Sequence, residues 1–349
     1  MPPMDLLSFI LSFIIILVSC ELFTNGVEWT ARRFGLSKGA VGSVLAAIGT
    51  ALPETMVPLI AILFDPSAGD VGQEIGVGAI MGSPFTIGTL ALFVCGLSLF
   101  LFRSRRASKV LNVDGGLVRR DMSFFLPAYS LAALAAFLPA GMQWARYLLA
   151  MVLVVLYGVY VWETMRRDDG TLDEAEPLYS DRLLGLLTGG GKGVEPRTPI
   201  IVGQVFLAVI GIVVGAAIFV EQIHEISMVI GVPPLVLALL IAPMATELPE
   251  MYNSFIWVRC GKDVYALGNL TGAMVFQSCI PVTVGLLLTP WHISLQEPHQ
   301  VLQAASMLIA LVSALALYVH ASKRAIGLPS LLFGGALYAA FILFLLLTL

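Results

Sequence analysis

Two carboxylates stand in this sequence where carboxylates are costly. Glu54 closes the run GLSKGAVGSVLAAIGTALPE that starts at Gly35, and Glu250 closes GVPPLVLALLIAPMATELPE that starts at Gly231; both runs end Leu-Pro-Glu, 196 residues apart. A proline inside an apolar helix lacks an N–H and crowds the preceding turn, so Pro53 leaves the carbonyl of Gly49, and Pro249 that of Ala245, without an intrahelical donor. An ionised group in hydrocarbon is expensive unless something pairs with it. Thr50 and Thr246 each lie four residues before their glutamate and share its helix face, and Glu247 borders the face of Glu250. Freed carbonyls, hydroxyls and carboxylates, with no thiolate or imidazole among them, make a hard-oxygen donor set. It suits Ca2+, Mg2+, Na+ or a proton carried on a carboxylate.

A second matched pair follows each run. GAIMGSPF (78–85) and GNLTGAMVF (268–276) share Gly-x-x-x-Gly at an offset of 190 residues. Gly78, Gly82, Gly268 and Gly272 would let helices approach closely. Pro84 and Pro281 would free the carbonyls of Ile80 and Gln277, and Ser83, Asn269 and Gln277 add polar side chains, read either as ion ligands or as links between helices.

Membrane helices must position these groups. The chain is 58% hydrophobic and 12% charged, with a mean hydropathy of +0.92. Apolar stretches of about 20 residues recur throughout, which excludes a soluble domain, and the period-2 alternation of an outer-membrane barrel is missing. Ten spans are expected, near 5–22, 39–64, 74–101, 122–139, 145–165, 199–220, 232–258, 264–288, 300–320 and 328–348. The first is read as retained, because no basic segment or small-residue cleavage site accompanies it. The polar interval 166–198 divides the chain into two five-span halves, 1–165 and 199–349, whose matched segments are 39–101 and 232–288. Of the nineteen Lys and Arg residues, all but Arg146 fall on one side of this topology, which places the 166–198 linker in the cytoplasm and both termini outside. Halves with an odd number of spans enter the membrane from opposite sides, the inverted repeat of many secondary transporters. Cys20, Cys95, Cys260 and Cys279 have no CxxC spacing and are expected to be small core residues rather than a zinc site or disulfides.

The motifs resemble those of the cation/Ca2+ antiporter superfamily, the sodium/calcium exchangers and their relatives. That family's two inverted repeats read approximately Gly-Thr-Ser-x-Pro-Glu followed by Gly-Asn-x-x-Gly-Ser-Asn. Here stand GTALPE (49–54) with GAIMGSP (78–84), and ATELPE (245–250) with GNLTGAM (268–274), preceded in the first half by NGVEWTARRFGLSKGAVG (25–42). The resemblance implies an all-α membrane protein of ten helices. It also implies that Glu54 and Glu250 bind Ca2+, that oxygens of Thr50 and Thr246 line the ion sites, and that spans one and six slide to expose the site to one side at a time. Where the family has serine after each threonine this chain has Ala51 and Glu247, and Ala79, Pro84 and Met274 replace further polar positions. Several side chains associated with Na+ are therefore missing, and a third carboxylate is added. Three negative charges against one divalent ion leave a surplus of one, which favours exchange of Ca2+ or another divalent cation against H+, with Na+ as the other candidate counter-ion.

A monovalent Na+/H+ or K+/H+ exchanger is the alternative on the same fold. A channel does not require two inverted halves, and His224-Glu225 lacks the second histidine of an HExxH metalloprotease, so no enzyme is expected. No cofactor is expected beyond the transported cation and its counter-ion, and no nucleic-acid partner. The expected location is the plasma membrane of the cell, as a multi-pass protein. Glu28, Glu221, His224 and Glu225 read as interfacial groups, and the linker is too short to form a domain of its own.

Overall fold

The computed structural model describes residues 3–33, 52–64, 70–106, 108–112, 115–139, 141–167, 178–180, 196–321 and 325–348. These form α1 (Pro3–Arg33), α2 (Leu52–Phe64), α3 (Asp70–Thr86), a π-helical turn (Ile87–Ala91), α4 (Leu92–Leu101), β1 (Leu111–Asn112), α5 (Gly115–Ala136) and α6 (Gln143–Arg167) in the first half. The second half holds α7 (Thr198–Ile230), α8 (Pro234–Thr246), α9 (Leu248–Arg259), α10 (Asp263–Leu288), α11 (Pro298–Ala321), β2 (Ala325–Ile326) and α12 (Leu328–Thr348). Among the described residues the protein is all-helical apart from one two-residue ribbon, in which Leu111 pairs with Ile326 and Asn112 with Ala325.

Among the described residues seven helices are long and apolar enough to cross a membrane, or up to eight when the bent pair α8 and α9 counts as one span. Two of the ten expected spans are not among them. Only the end of 39–64 is described, as the 13-residue α2, and α5 carries Arg119, Arg120 and Asp121 in its early turns. The expected spans 5–22 and 199–220 stop too early, since α1 runs 31 residues and α7 runs 33. Glu21 and Glu221 sit in the middle of these helices, because a charge on an exposed helix face does not end the helix; Gly231, at φ 71°, ends α7 in the left-handed conformation. At 1.5 Å per residue these two helices are about 45–50 Å long, more than a hydrocarbon core requires.

Packing separates into two apolar clusters. One joins α1, α2 and α7 with parts of α3 and α8 around Val57, Ala61, Ile212, Phe219 and Ile223; the other unites α3 to α6 with α8 to α12. Small residues set the α1–α7 contact: Gly26 lies against Val205 and Gln204, Gly211 against Ser19 and Gly215 against Ile16. In the larger cluster, α10 packs on α5 and α6, while α3 and α4 pack on α11 and α12. Gly78 and Gly82 of α3 lie on the backbone carbonyls of Leu235 and Leu239 in α8, close enough that a methyl group would collide with them. Pro243 gives the Leu239 carbonyl no helical donor, so the glycine face meets a bare oxygen.

The chain ends of the helices tie together in two sets. Arg106 bonds both carboxylate oxygens of Asp263 at 2.7 Å and the Val258 carbonyl, the Asn112 N–H reaches Asp263 at 2.9 Å, and Arg33 reaches Thr198 at 3.2 Å. With β1 and β2 this links the connections that follow α4, α9 and α11 and the facing ends of α1 and α7. At the other set, Trp291 donates its indole N–H to the Ala132 carbonyl at 3.0 Å and Ile293 N–H bonds Ala136 O at 2.8 Å. Arg146, the one cation that the sequence places apart, is 2% exposed and bonds the Leu138 carbonyl at 2.8 Å. Cys20, Cys95 and Cys279 are buried as expected; Cys260, in the turn after α9, is exposed, so it is not a core residue.

Candidate functional site

The two Leu-Pro-Glu segments each begin a helix. Glu54 lies in the first turn of α2 and Glu250 in the first turn of α9, where proline is tolerated because the opening N–H groups have no intrahelical partner. The same unpaired N–H groups favour negative charge at that end. Both carboxylates are 2% exposed, and among the described residues no donor from another residue reaches any of their four oxygens. A buried charge left in that state would be strongly unfavourable, so the geometry calls for a cation, a proton or both.

The second half opens its span at Glu247, with φ −95° and ψ 2°. It caps α8 and starts α9, and the two helices bend by 48° across it. Pro249 explains the break: it offers no N–H to Ala245, whose residue is 3% exposed. Glu247 is fully buried; Gln277 of α10 donates to its Oε1 at 3.1 Å, and Ser83 of α3 lies close by. Its Oε2 and the Gln277 Oε1 have no partner. Glu54, Glu247 and Glu250 lie near enough for their charges to act on one another, and those of Glu54 and Glu250 reach Cys20 on α1.

Other expected site residues fall in different places. The Thr246 hydroxyl donates back to the Ala242 carbonyl at 3.2 Å, as membrane threonines commonly do, which leaves its lone pairs open to a cation. Asn269 links helices, donating at 3.4 Å to both the Glu250 carbonyl and the Ser254 hydroxyl. Thr50 and Gly49 lie outside the described residues. Gly268 and Gly272, expected to seat a helix as Gly78 and Gly82 do, have Leu117 side-chain atoms and the Tyr160 hydroxyl as their nearest described neighbours, at 3.4 and 3.5 Å. Among the described residues no three His, Cys, Asp or Glu side chains converge at metal-holding spacing. The arrangement therefore offers two bare carboxylates that neutral oxygens must supplement, the mixture that six to eight Ca2+ ligands are usually drawn from.

Sequence reasoning missed three features here. The π-helical turn Ile87–Ala91 follows Pro84 by one turn and presents the Gly88 carbonyl to the Ser313 hydroxyl. Asp121, which the charge pattern assigns to a loop, is 1% exposed on α5 and takes the Thr271 hydroxyl at 2.6 Å. An acid directly after two arginines at the start of a span is the one sequence signal for it. Cys20 reads as a core residue, and only the packing of α1 brings it towards the carboxylates.

Comparison with known proteins places this geometry. A family model described as sodium/calcium exchanger protein matches residues 4–165 and 200–349. An uncharacterized membrane protein of Methanocaldococcus jannaschii is 22% identical over 91% of this chain and 90% of its own length. A crystal structure of the H+/Ca2+ exchanger CAX superposes with a TM-score of 0.71 at 19% identity, covering 98% of this chain and 82% of that one. The sodium-calcium exchanger NCX_Mj superposes with a TM-score of 0.59 at 21% identity, covering 98% and 99%. At these identities the superpositions speak for the fold.

Proposed function

We propose that this chain, which belongs to the sodium/calcium exchanger family, is a secondary antiporter that exchanges Ca2+ or another divalent cation against H+ or Na+. It is a multi-pass membrane protein of ion transport, not an enzyme. The observation that carries the reading is the pair Glu54 and Glu250: two buried carboxylates without side-chain partners among the described residues, at the starts of two helices 196 residues apart. They are the cation's charged ligands. Thr50 and Thr246, the carbonyls of Gly49 and Ala245, and Ser83 and Asn269 supply neutral oxygens around them. Glu247, held by Gln277, adds the third negative charge that a co-bound proton or monovalent ion neutralises.

The halves 1–165 and 199–349 form an inverted repeat of five spans each, joined by the cytoplasmic linker, with both termini outside. Exchanged packing partners support it: α10 rests on α5 and α6 as α3 and α4 rest on α11 and α12. So do the linked helix ends, which group the basic connections apart from the Trp291 side. The small-residue contact between α1 and α7, in the smaller apolar cluster that they share with α2 and parts of α3 and α8, suits a pair that slides against the larger body to open the site to one side and then the other. Competition of the cation and its counter-ion for Glu54 and Glu250 makes the exchange obligatory. The plasma membrane is the proposed location, and no cofactor beyond the transported ions is required.

The test is 45Ca2+ uptake into proteoliposomes, driven in parallel by outward Na+ and outward H+ gradients, with Glu54→Gln as control. Uptake under one gradient only, lost in the variant, identifies the counter-ion. Uptake under neither, in folded protein, removes Ca2+ as substrate; parallel 22Na+ and 86Rb+ exchange against H+ then reads the monovalent alternative.

A further inference from the structure

The two site helices are held from behind by one helix, at matched residues. Tyr129 of α5 donates its hydroxyl to the Met81 carbonyl in α3 at 3.2 Å, and Asp121 of α5 accepts the Thr271 hydroxyl of α10 at 2.6 Å. Met81 and Thr271 are 190 residues apart, the offset that relates Gly78 and Gly82 to Gly268 and Gly272. Two residues along a helix turn it by about 200°, so Met81 points away from Ser83, and Thr271 away from Asn269. On α10 the grip therefore falls on the face opposite Asn269, while on α3 it holds the backbone itself at Met81.

Asp121 is equipped to be an anchor rather than an ion ligand. Its Oδ1 takes Arg120 at 2.8 and 3.1 Å and the Tyr160 hydroxyl of α6 at 3.3 Å, while Oδ2 takes Thr271. Its charge is thus compensated in place, whereas among the described residues no side chain bonds the carboxylate oxygens of Glu54 or Glu250. The two grips also differ in kind. On α3 the acceptor is a backbone carbonyl, which no substitution of Met81 removes; on α10 the donor is a side chain, which one substitution deletes.

We propose that Asp121 is a positioning residue of the cation site. With Tyr129 it makes α5 the spacer that fixes α3 relative to α10, and hence Ser83 and Gln277 relative to Glu247. The inference rests on the reading of Glu54 and Glu250 as cation ligands, and its test keeps the two apart. Purified full-length protein is titrated with Ca2+, Sr2+ and Mg2+, following thermal stabilisation, for the wild type, Glu54→Gln, Thr271→Val and Thr271→Ser. Thr271→Val is expected to weaken the apparent affinity about tenfold, as loss of a partner behind a ligand typically does, and to change the ranking of the three ions. Thr271→Ser, which keeps the hydroxyl, is expected to restore both. In 45Ca2+ exchange the loss in Thr271→Val falls on the half-saturating concentration and not on the maximal rate. If the wild type responds, Glu54→Gln does not, and Thr271→Val matches the wild type, the positioning role is overturned while the site reading stands. If the wild type and Glu54→Gln respond alike to all three ions, both are overturned. Should Thr271→Val fail to fold, Tyr160→Phe, which removes a second donor to Asp121, is read in the same titration with the same direction expected and the same result overturning it.

Discussion

The helices α2 and α3 and the helices α9 and α10 are built to one plan and equipped differently. Each pair starts with a buried glutamate that has no side-chain partner among the described residues and continues into a Gly-x-x-x-Gly helix. The second adds Glu247 and Gln277, bonded at 3.1 Å, where the matched positions of the first are Ala51 and Ile87. The first has its glycines on the carbonyls of α8 and a π-helical turn after its proline; α10 passes Pro281 as continuous α-helix. What is duplicated is the means of placing a carboxylate at a helix start inside the protein. What is not duplicated is the charge and polarity around it, so the two halves contribute unequally to whatever occupies the site.

The largest effects should come where the halves are alike. Glu54→Gln and Glu250→Gln are each expected to reduce cation exchange in proteoliposomes to background, by about 100-fold or more, since each removes a charged ligand. A large loss in one and a small loss in the other would break the equivalence of the two starts. Next in size is Gly82→Ala, whose methyl would meet the Leu239 carbonyl; a cost of about 1–3 kcal/mol is expected from overpacking against backbone, seen as a lowered midpoint in thermal unfolding.

Glu247→Gln probes the unmatched carboxylate. Exchange should survive it, weakened by about tenfold or less, and lose much of its response to an imposed proton gradient; unchanged exchange with an unchanged response would leave Glu247 a purely structural partner of Gln277. The smallest effect belongs to Gly272→Ala. Its nearest described neighbour is the Tyr160 hydroxyl at 3.5 Å, an ordinary contact, so stability should stay within about 1 kcal/mol of the wild type. A loss equal to that of Gly82→Ala would show that the two glycine motifs do the same job.

Hydropathy and spacing made the helical membrane architecture, the paired carboxylates and the α3–α8 approach legible, because each has a local cause: apolar length, a proline, a missing side chain. The lengths of α1 and α7 were not legible, since the apolar runs end near 22 and 220 while both helices continue through polar residues. Nor was Asp121, whose burial depends on Thr271 and Tyr160 from two distant helices. Pro249 marks a carbonyl without a donor, but the 48° break is centred on Glu247, and that Glu247 would find Gln277 is a property of packing alone. Thr246 satisfied its hydroxyl within its own helix, an outcome its spacing from Glu250 does not decide.

The seating of Gly78 and Gly82 on α8 also fixes an order of events during synthesis. The face of α3 that carries these glycines leaves the ribosome long before α8 exists, and α4 waits still longer for α12. Until then Ser83 and the glycine face must be borne by lipid, by insertion machinery or by makeshift neighbours, because an early half has no native surface to cover them. Maturation of this protein therefore waits on α8 and α12, and a chain cut short before α12 is expected to be recognised as unfinished and degraded rather than to persist as a working fragment.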